Sequence, residues 1–155
     1  MCVDVSTVSV MVASAGVLVA AAYYVLQMRH QTKLRQTDMV MRLYTTFGSP
    51  EFQKASLKMR DMELADYDDY RKRYESDVES KTAWLSVAAF FEGIGVLVHK
   101  KLIDISLVDD LFSTPVIIGW EKIEHLVESE RKHRSRPQIW EWFEYLYNEI
   151  KKREQ

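Results

Sequence analysis

The chain has 155 residues and a formal net charge of −2, with 21 Lys and Arg against 23 Asp and Glu. Basic and acidic residues are interleaved after residue 28, so no basic stripe is present to neutralise phosphates and we expect no nucleic-acid partner. The single cysteine, Cys2, excludes an internal disulfide and a cysteine zinc cluster.

An uncharged run from Val5 to Met28 predicts one membrane-spanning helix, with the lipid bilayer as its partner. At about 1.5 Å of rise per residue, the part from Val8 to Met28 covers the roughly 30 Å of a hydrocarbon core. We therefore expect an N-terminal transmembrane anchor over residues 1–28.

The charges beside this run predict its orientation. Arg29, Lys33 and Arg35 follow it closely, whereas only Asp4 precedes it. Loops that stay in the cytoplasm carry the excess of basic residues near a span. We expect a single-pass plasma-membrane protein with its N-terminus outside and its C-terminal domain in the cytoplasm. A cleaved signal peptide is the alternative, but the first seven residues lack the basic residues of its n-region.

Small residues recur along one side of the anchor, at Ser9, Ala13, Gly16 and Ala20. Such a stripe allows a second helix to approach closely. Two interpretations stay open. The stripe reflects composition alone, since alanine is common in any span, or it forms the contact of a parallel homodimer through the transmembrane helix.

Helical periodicity continues through the rest of the chain. We expect a helical stalk over 29–47, ended by Gly48, and then a compact cytoplasmic domain over 48–155. No segment alternates apolar and polar residues long enough for a strand, so the fold class is all-α, with a bundle of about five helices. The helices are expected to start at Ser49 and Pro50, near Tyr67, at Thr82, at the capping box Ser106 to Asp109, at Pro115 and at Pro137.

Within the first of these helices, Phe52, Leu57 and Met59 are expected to point inward. The predicted helix from Thr82 to Leu102 is apolar on all sides, which is typical of a buried core helix. It is too short for a confident second span.

Glu92 is the one carboxylate in the apolar part of that helix. A buried carboxylate is costly unless it is paired or protonated. We expect a structural partner, either Arg42, Arg60 or a tyrosine hydroxyl. The alternative is a ligand-binding or acid–base pocket in which Glu92 and His99 share a site with an arginine.

Glu121, His125 and Glu128 lie at i, i+4 and i+7 and so share one helix face. Helical di-metal sites use a Glu-x-x-His pair on two helices, and no histidine of this chain has that spacing. We predict a solvated charged face, no metal site and no cofactor.

The run FFEGIGVLVHKKLIDISLVDDLF, the later VIIGWEKI and a Trp-rich last helix are distinctive. Together they resemble the domain of unknown function 4760 family, a group of small prokaryotic membrane-anchored proteins. The resemblance is carried by Phe90, Phe91, Glu92, Gly95, Trp120 and Glu121. It implies an anchor ahead of a helical domain and supplies no activity and no catalytic residue.

We therefore expect a scaffold, adaptor or sensor that binds another protein at the cytoplasmic face of the membrane. The candidate contact surface lies near Trp120, Trp140 and Trp142. The alternative is a membrane-tethered enzyme or small-ligand receptor that uses a buried Glu92 pocket. The sequence contains no G-x-S-x-G motif, no phosphate-binding glycine loop and no cysteine after Cys2.

Overall fold

The computed structural model describes residues 4–154, so that Cys2 lies outside the described residues. Across that range the fold is all-α, with six helices and no strand, as the sequence predicts. The helices are α1 (Val5–Phe47), α2 (Pro50–Asp61), α3 (Tyr67–Tyr74), α4 (Val78–His99), α5 (Ile105–Arg134) and α6 (Glu141–Arg153). The chain divides into two compact units, Met1–Asp38 and Met39–Gln155.

The first unit is the apolar N-terminal part of α1. Its most apolar 18-residue window has a mean hydropathy of 2.0, and none of that window is buried. Val5 and Leu18 are 79% and 72% exposed. The helix is long and apolar enough to cross a membrane, although a signal sequence meets the same criterion.

The second unit is built around α4, which packs against α2, α5 and α6. The end of α1 belongs to this unit, since Val40 is buried among its core residues. α4 is also long and apolar enough to span a membrane, but 44% of its most apolar window is buried. The core is formed mainly by aromatic and branched side chains: Val87, Phe91, Ile94, Phe112, Val116, Ile123, Phe143, Leu146 and Ile150.

The start of α2 agrees with the sequence. Ser49 is the N-cap and its hydroxyl accepts a hydrogen bond of 3.2 Å from the amide of Phe52, with Pro50 in the first helical turn. Phe52 is buried as expected, but Leu57 is 57% exposed, so the prediction that Leu57 points inward is wrong.

The expectation of two helices between Ser106 and His133 is also wrong, because α5 runs unbroken from Ile105 to Arg134 with Pro115 inside it. An internal proline costs a helix about 3 kcal/mol. On either side of it, Phe112 and Val116 are fully buried, and burying each such side chain contributes about 1.5–3 kcal/mol. Core packing therefore offsets the proline.

The N-cap of α5 is Asp104 rather than Ser106. The Asp104 carboxylate accepts hydrogen bonds from the amide of Ser106 at 2.8 Å and from its hydroxyl at 2.7 Å. The predicted capping box is incorrect because an aspartate two residues earlier already supplies the acceptor.

α6 begins at Glu141 and not at Pro137, since residues 137–140 form a turn. Trp140 occupies the N-cap position in the left-handed region, with φ 55° and ψ 33°, and forms no side-chain cap. The first amides of α6 therefore need an acceptor from elsewhere.

Candidate functional site

Glu92 supplies that acceptor from α4. Its Oε2 accepts a hydrogen bond of 2.7 Å from the backbone amide of Phe143, in the first turn of α6. An N-cap side chain normally bonds to the second or third amide of its own helix. Here Glu92 caps α6 from a different helix, because the indole side chain of Trp140 has no hydrogen-bond acceptor.

Burial and hydrogen bonding shift the pKa of Glu92 in opposite directions. Burial raises the pKa of Glu92, and the nearby Glu141 acts in the same direction. The amides of Phe143 and Trp142, together with Arg131, act in the opposite direction, but burial dominates. The carboxyl group is therefore easier to protonate than an exposed glutamate.

Gly95, one turn further along α4, faces the same end of α6. A β-carbon at Gly95 would lie 2.6 Å from the carbonyl carbon of Trp142, well inside van der Waals contact. The absence of a side chain therefore lets the two helices approach closely enough for Glu92 to reach Phe143. Sequence reasoning noted Gly95 only as part of a motif and missed this role.

The partner of Glu92 is a backbone amide and not the expected arginine or tyrosine hydroxyl. The arginine that acts on its charge is Arg131 of α5, which is held by the carboxylate of Glu144 at 2.7 Å and the carbonyl of Ile139 at 2.9 Å. The two arginines proposed from the sequence lie elsewhere: Arg42 is exposed near the end of α1, and Arg60 lines a cavity between α2, α4 and α5.

His99 lies at the exposed C-terminal end of α4. Its ring centroid is 4.2 Å from that of Trp142 and 5.4 Å from that of Tyr145. Within the described residues His99 forms no hydrogen bond with Glu92. The two side chains therefore face different parts of α6, and the geometry does not form the shared site.

The three tryptophans proposed as a contact surface fall into two groups. Trp120 is 2% exposed and its ring centroid lies 5.3 Å from that of Phe143, so its assignment to a surface is wrong. It lies on the same face of α5 as the buried Ile123 and Val127, and that face packs into the core. Trp140 and Trp142 are half-buried. Only these two retain area for a partner.

A second charged cluster was missed by the sequence reasoning. Glu130 is 8% exposed and pairs with Arg134 at 2.8 Å, and Arg134 in turn donates a 2.6 Å hydrogen bond to the hydroxyl of Tyr67. This cluster fastens α3 to the end of α5. Glu130 lies on the same helix face as the buried Ile123 and Val127, and that spacing is the signal for its burial.

No group of three or more His, Cys, Asp or Glu side chains with metal-binding geometry occurs in residues 4–154. Glu121, from the face considered for a metal, instead accepts a 3.3 Å hydrogen bond from the hydroxyl of Tyr147. It also lies 3.9 Å from Lys151. Its carboxylate is therefore directed at α6.

The stripe of small residues on α1 is unoccupied in the described part of the chain, where a β-carbon at Gly16 would meet no atom within 4 Å. Pairing through Ser9, Ala13, Gly16 and Ala20 stays a prediction.

No curated protein and no solved structure matches the sequence. One family model matches residues 10–150, which include most of the apolar helix and nearly all of the helical body. The chain therefore belongs to the family described as Domain of unknown function (DUF4760).

Proposed function

We propose that this protein is held in a membrane by a single helix, α1, and that its helical body acts by binding another protein. The observation that carries the first part is the apolar stretch of α1, with a mean hydropathy of 2.0 and no buried residue in its most apolar window. Continuous exposed apolar surface of this kind marks a membrane or protein contact. A bilayer is the environment that covers such a stretch on all sides.

The body lies on the cytoplasmic side in this proposal. Arg29, Lys33 and Arg35 follow the apolar stretch on exposed positions of α1. Basic residues within about 15–20 residues of a span favour retention of that flank in the cytoplasm. The N-terminus is then outside.

The contact surface we propose is formed by His99, Trp142 and Tyr145, which we name the His99 surface. Its rings pack against one another in tilted and edge-to-face arrangements where α4 ends and α6 begins. His99 is exposed, and both aromatic residues are half-buried. Rigid aromatic side chains of this kind are enriched at protein interfaces because they contribute large contact area at low entropic cost.

The alternative, an enzyme or small-ligand receptor built on Glu92, competes with a structural role. The Oε2 atom of Glu92 already accepts a hydrogen bond from α6. A ligand that took this acceptor would leave the first turn of α6 without a side-chain cap. We therefore assign Glu92 to the fold in this proposal.

Membrane topology is tested through Cys2, the one cysteine of the chain. A membrane-impermeant maleimide should label Cys2 in intact cells. In the matched control, Cys2→Ser combined with Gln155→Cys, labelling should require permeabilised cells. The opposite pattern would overturn the orientation, and recovery of the protein free of membranes would overturn the anchor.

Partner binding is tested by photo-crosslinking of the full chain in its native membrane. A photoreactive phenylalanine analogue replaces His99 in one variant and Leu57, an exposed apolar position on α2, in the control. A discrete protein adduct from position 99 alone is the expected result. Adducts from neither position, or the same adducts from both, would overturn the His99 surface.

A further inference from the structure

A cavity of about 290 Å³ lies between the end of α1 and helices α2, α4 and α5. Its deepest wall is formed by Met59, Val87 and Phe91, all of which are buried. Tyr44 and Ile118 also line it and are 44% exposed. The cavity therefore has a buried apolar floor and an opening to solvent.

The size of the cavity limits what it can hold. Ligand sites in proteins usually measure about 300–1,000 Å³ and are lined mainly by apolar side chains with a few polar groups. This cavity is at the lower end of that range, so it suits a small ligand rather than a helix or a loop of another protein.

Among the described residues that line this cavity, Arg60 is the only charged one. Arg60 is exposed, and its guanidinium forms no ion pair or hydrogen bond within residues 4–154. No carboxylate from the part of the chain that the structure describes lines the cavity. The site therefore carries one uncompensated positive charge next to apolar walls, a combination that selects for an anion with an apolar body.

Two aliphatic hydroxyl groups on the lining, besides the phenol of Tyr44, add hydrogen-bond donors. Ser56 and Thr114 line the cavity from α2 and α5, and neither hydroxyl group forms a hydrogen bond within the described part of the chain. A helical threonine commonly bonds to the carbonyl four residues earlier. Four threonines of α1 do so: Thr32, Thr37, Thr45 and Thr46. The free hydroxyls of Ser56 and Thr114 remain available to a ligand.

We infer that this cavity binds a small amphipathic carboxylate, with its apolar chain against Met59, Val87 and Phe91 and its carboxylate on the guanidinium of Arg60. Arginine binds carboxylates through two parallel hydrogen bonds. A medium-chain fatty acid has this chemistry. An anionic phospholipid offers a related combination, an acyl chain together with the negative charge of its phosphate, which arginine also binds. This site is separate from the His99 surface, so that either proposal can fail without the other.

The test uses the full chain in phosphatidylcholine nanodiscs with ¹³C-labelled methionine methyl groups. Decanoate is the probe. Met59 lines the cavity, whereas Met62 is buried but does not line it, so the two methyl groups act as reporter and internal reference. We expect a saturable shift of the Met59 signal and a much smaller shift of the Met62 signal.

The variant Arg60→Gln should weaken decanoate binding by about tenfold, as the loss of one charge-assisted contact predicts. Lys54→Gln removes the same charge from an exposed residue of the same helix that does not line the cavity, and it should bind decanoate as the parent does. Decanol, which lacks the charge, should bind weakly and equally to the parent and to Arg60→Gln.

A non-saturable Met59 shift, or equal affinity for decanoate in Arg60→Gln and the parent, would overturn the inference. Replacing part of the phosphatidylcholine with phosphatidylglycerol separates the two sources of the ligand. If the anionic lipid competes with decanoate, the acyl chain comes from the membrane; if it does not, the ligand is a free carboxylate. Unchanged tryptophan emission in each variant shows that the body is folded.

Discussion

Gly95 of α4 lies directly against the backbone of Trp142 at the start of α6, where a β-carbon would come within 2.6 Å of the Trp142 carbonyl carbon. Backbone atoms cannot rotate away as a flexible side chain can. The spacing of α4 and α6 is therefore fixed by the absence of a side chain at one position.

Gly95→Ala should lower the free energy of unfolding by about 1–3 kcal/mol or more, because the two helices must move apart. Gly93→Ala is the matched control: Gly93 is exposed in the same helix, and its β-carbon would meet no described atom within 4 Å. That variant should gain about 0.5–1 kcal/mol. Urea unfolding of the full chain in detergent, followed by tryptophan fluorescence, measures both. Equal stability of the two variants would contradict the packing argument.

The hydrogen bond from Phe143 to Glu92 predicts a difference between two substitutions of Glu92. Glu92→Ala removes the acceptor and leaves a half-buried amide unpaired, at a cost of about 1–3 kcal/mol. Glu92→Gln keeps an oxygen acceptor at nearly the same place and should remain close to the parent. The same urea experiment distinguishes them. A catalytic Glu92 would behave differently, since Glu92→Gln would lose function while the stability stayed intact.

The stability contributed by Glu92 should depend on pH in an unusual direction. Burial raises its pKa above the ordinary value of 4.5, so the folded chain binds the proton more tightly than the unfolded chain. Between pH 4.5 and the raised pKa, the folded state carries more protons, and its stability from this group falls as the pH rises.

Glu92→Gln does not titrate and provides the reference. The free energy of unfolding of the parent minus that of Glu92→Gln should decrease as the pH rises from about 4.5 and then become constant. Urea titrations at several pH values measure this difference. A difference that increases with pH would show that the amides of α6 outweigh burial.

The start of α2 was predictable because two adjacent residue types determine its cap. Ser49 supplies an acceptor, and Pro50 has no backbone N–H and so needs none. The partner of Glu92 was not predictable in this way. Its donor is the backbone amide of Phe143, and every residue except proline has such an amide, so no residue type marks it. The sequence indicates that Glu92 needs a partner. It favours arginines because a charged side chain can be identified from the sequence, whereas the position of a particular backbone amide cannot.

The sequence around Gly95 carries a weak signal of the close approach between α4 and α6. Two glycines inside a core helix, Gly93 and Gly95, each cost about 1 kcal/mol relative to alanine, which suggests a close approach at one of them. Choosing between them requires the position of α6.

The unbroken α5 has a similar cause. Local signals favour a helix start at Pro115, but the burial of Phe112 and Val116 on either side of it stabilises a continuous helix.

Asp104 and Ser106 give a direct test of the helix start that the sequence misplaced. Asp104→Ala removes the N-cap of α5 and should cost about 0.5–2 kcal/mol. Ser106→Ala keeps the Asp104 acceptor and should cost less. The hydrogen bonds from Ser106 lower the pKa of Asp104 below 3.8, so its contribution is present above that pH and is lost as the pH falls through the lowered pKa. A larger loss in Ser106→Ala would restore the predicted capping box.

The stripe of small residues on α1 predicts a parallel homodimer in the membrane. In a parallel pair, the two copies of Cys2 lie at the same end of the span, so mild oxidation of membranes should join them. Gly16→Leu places a large side chain on the stripe and should remove most of the crosslinked dimer, because the helices can no longer approach closely. Val17→Leu changes a neighbouring position that is 69% exposed and lies off the stripe, and it should leave the dimer intact. A dimer that is absent from the parent, or that survives Gly16→Leu unchanged, would show that the small residues are a matter of composition alone.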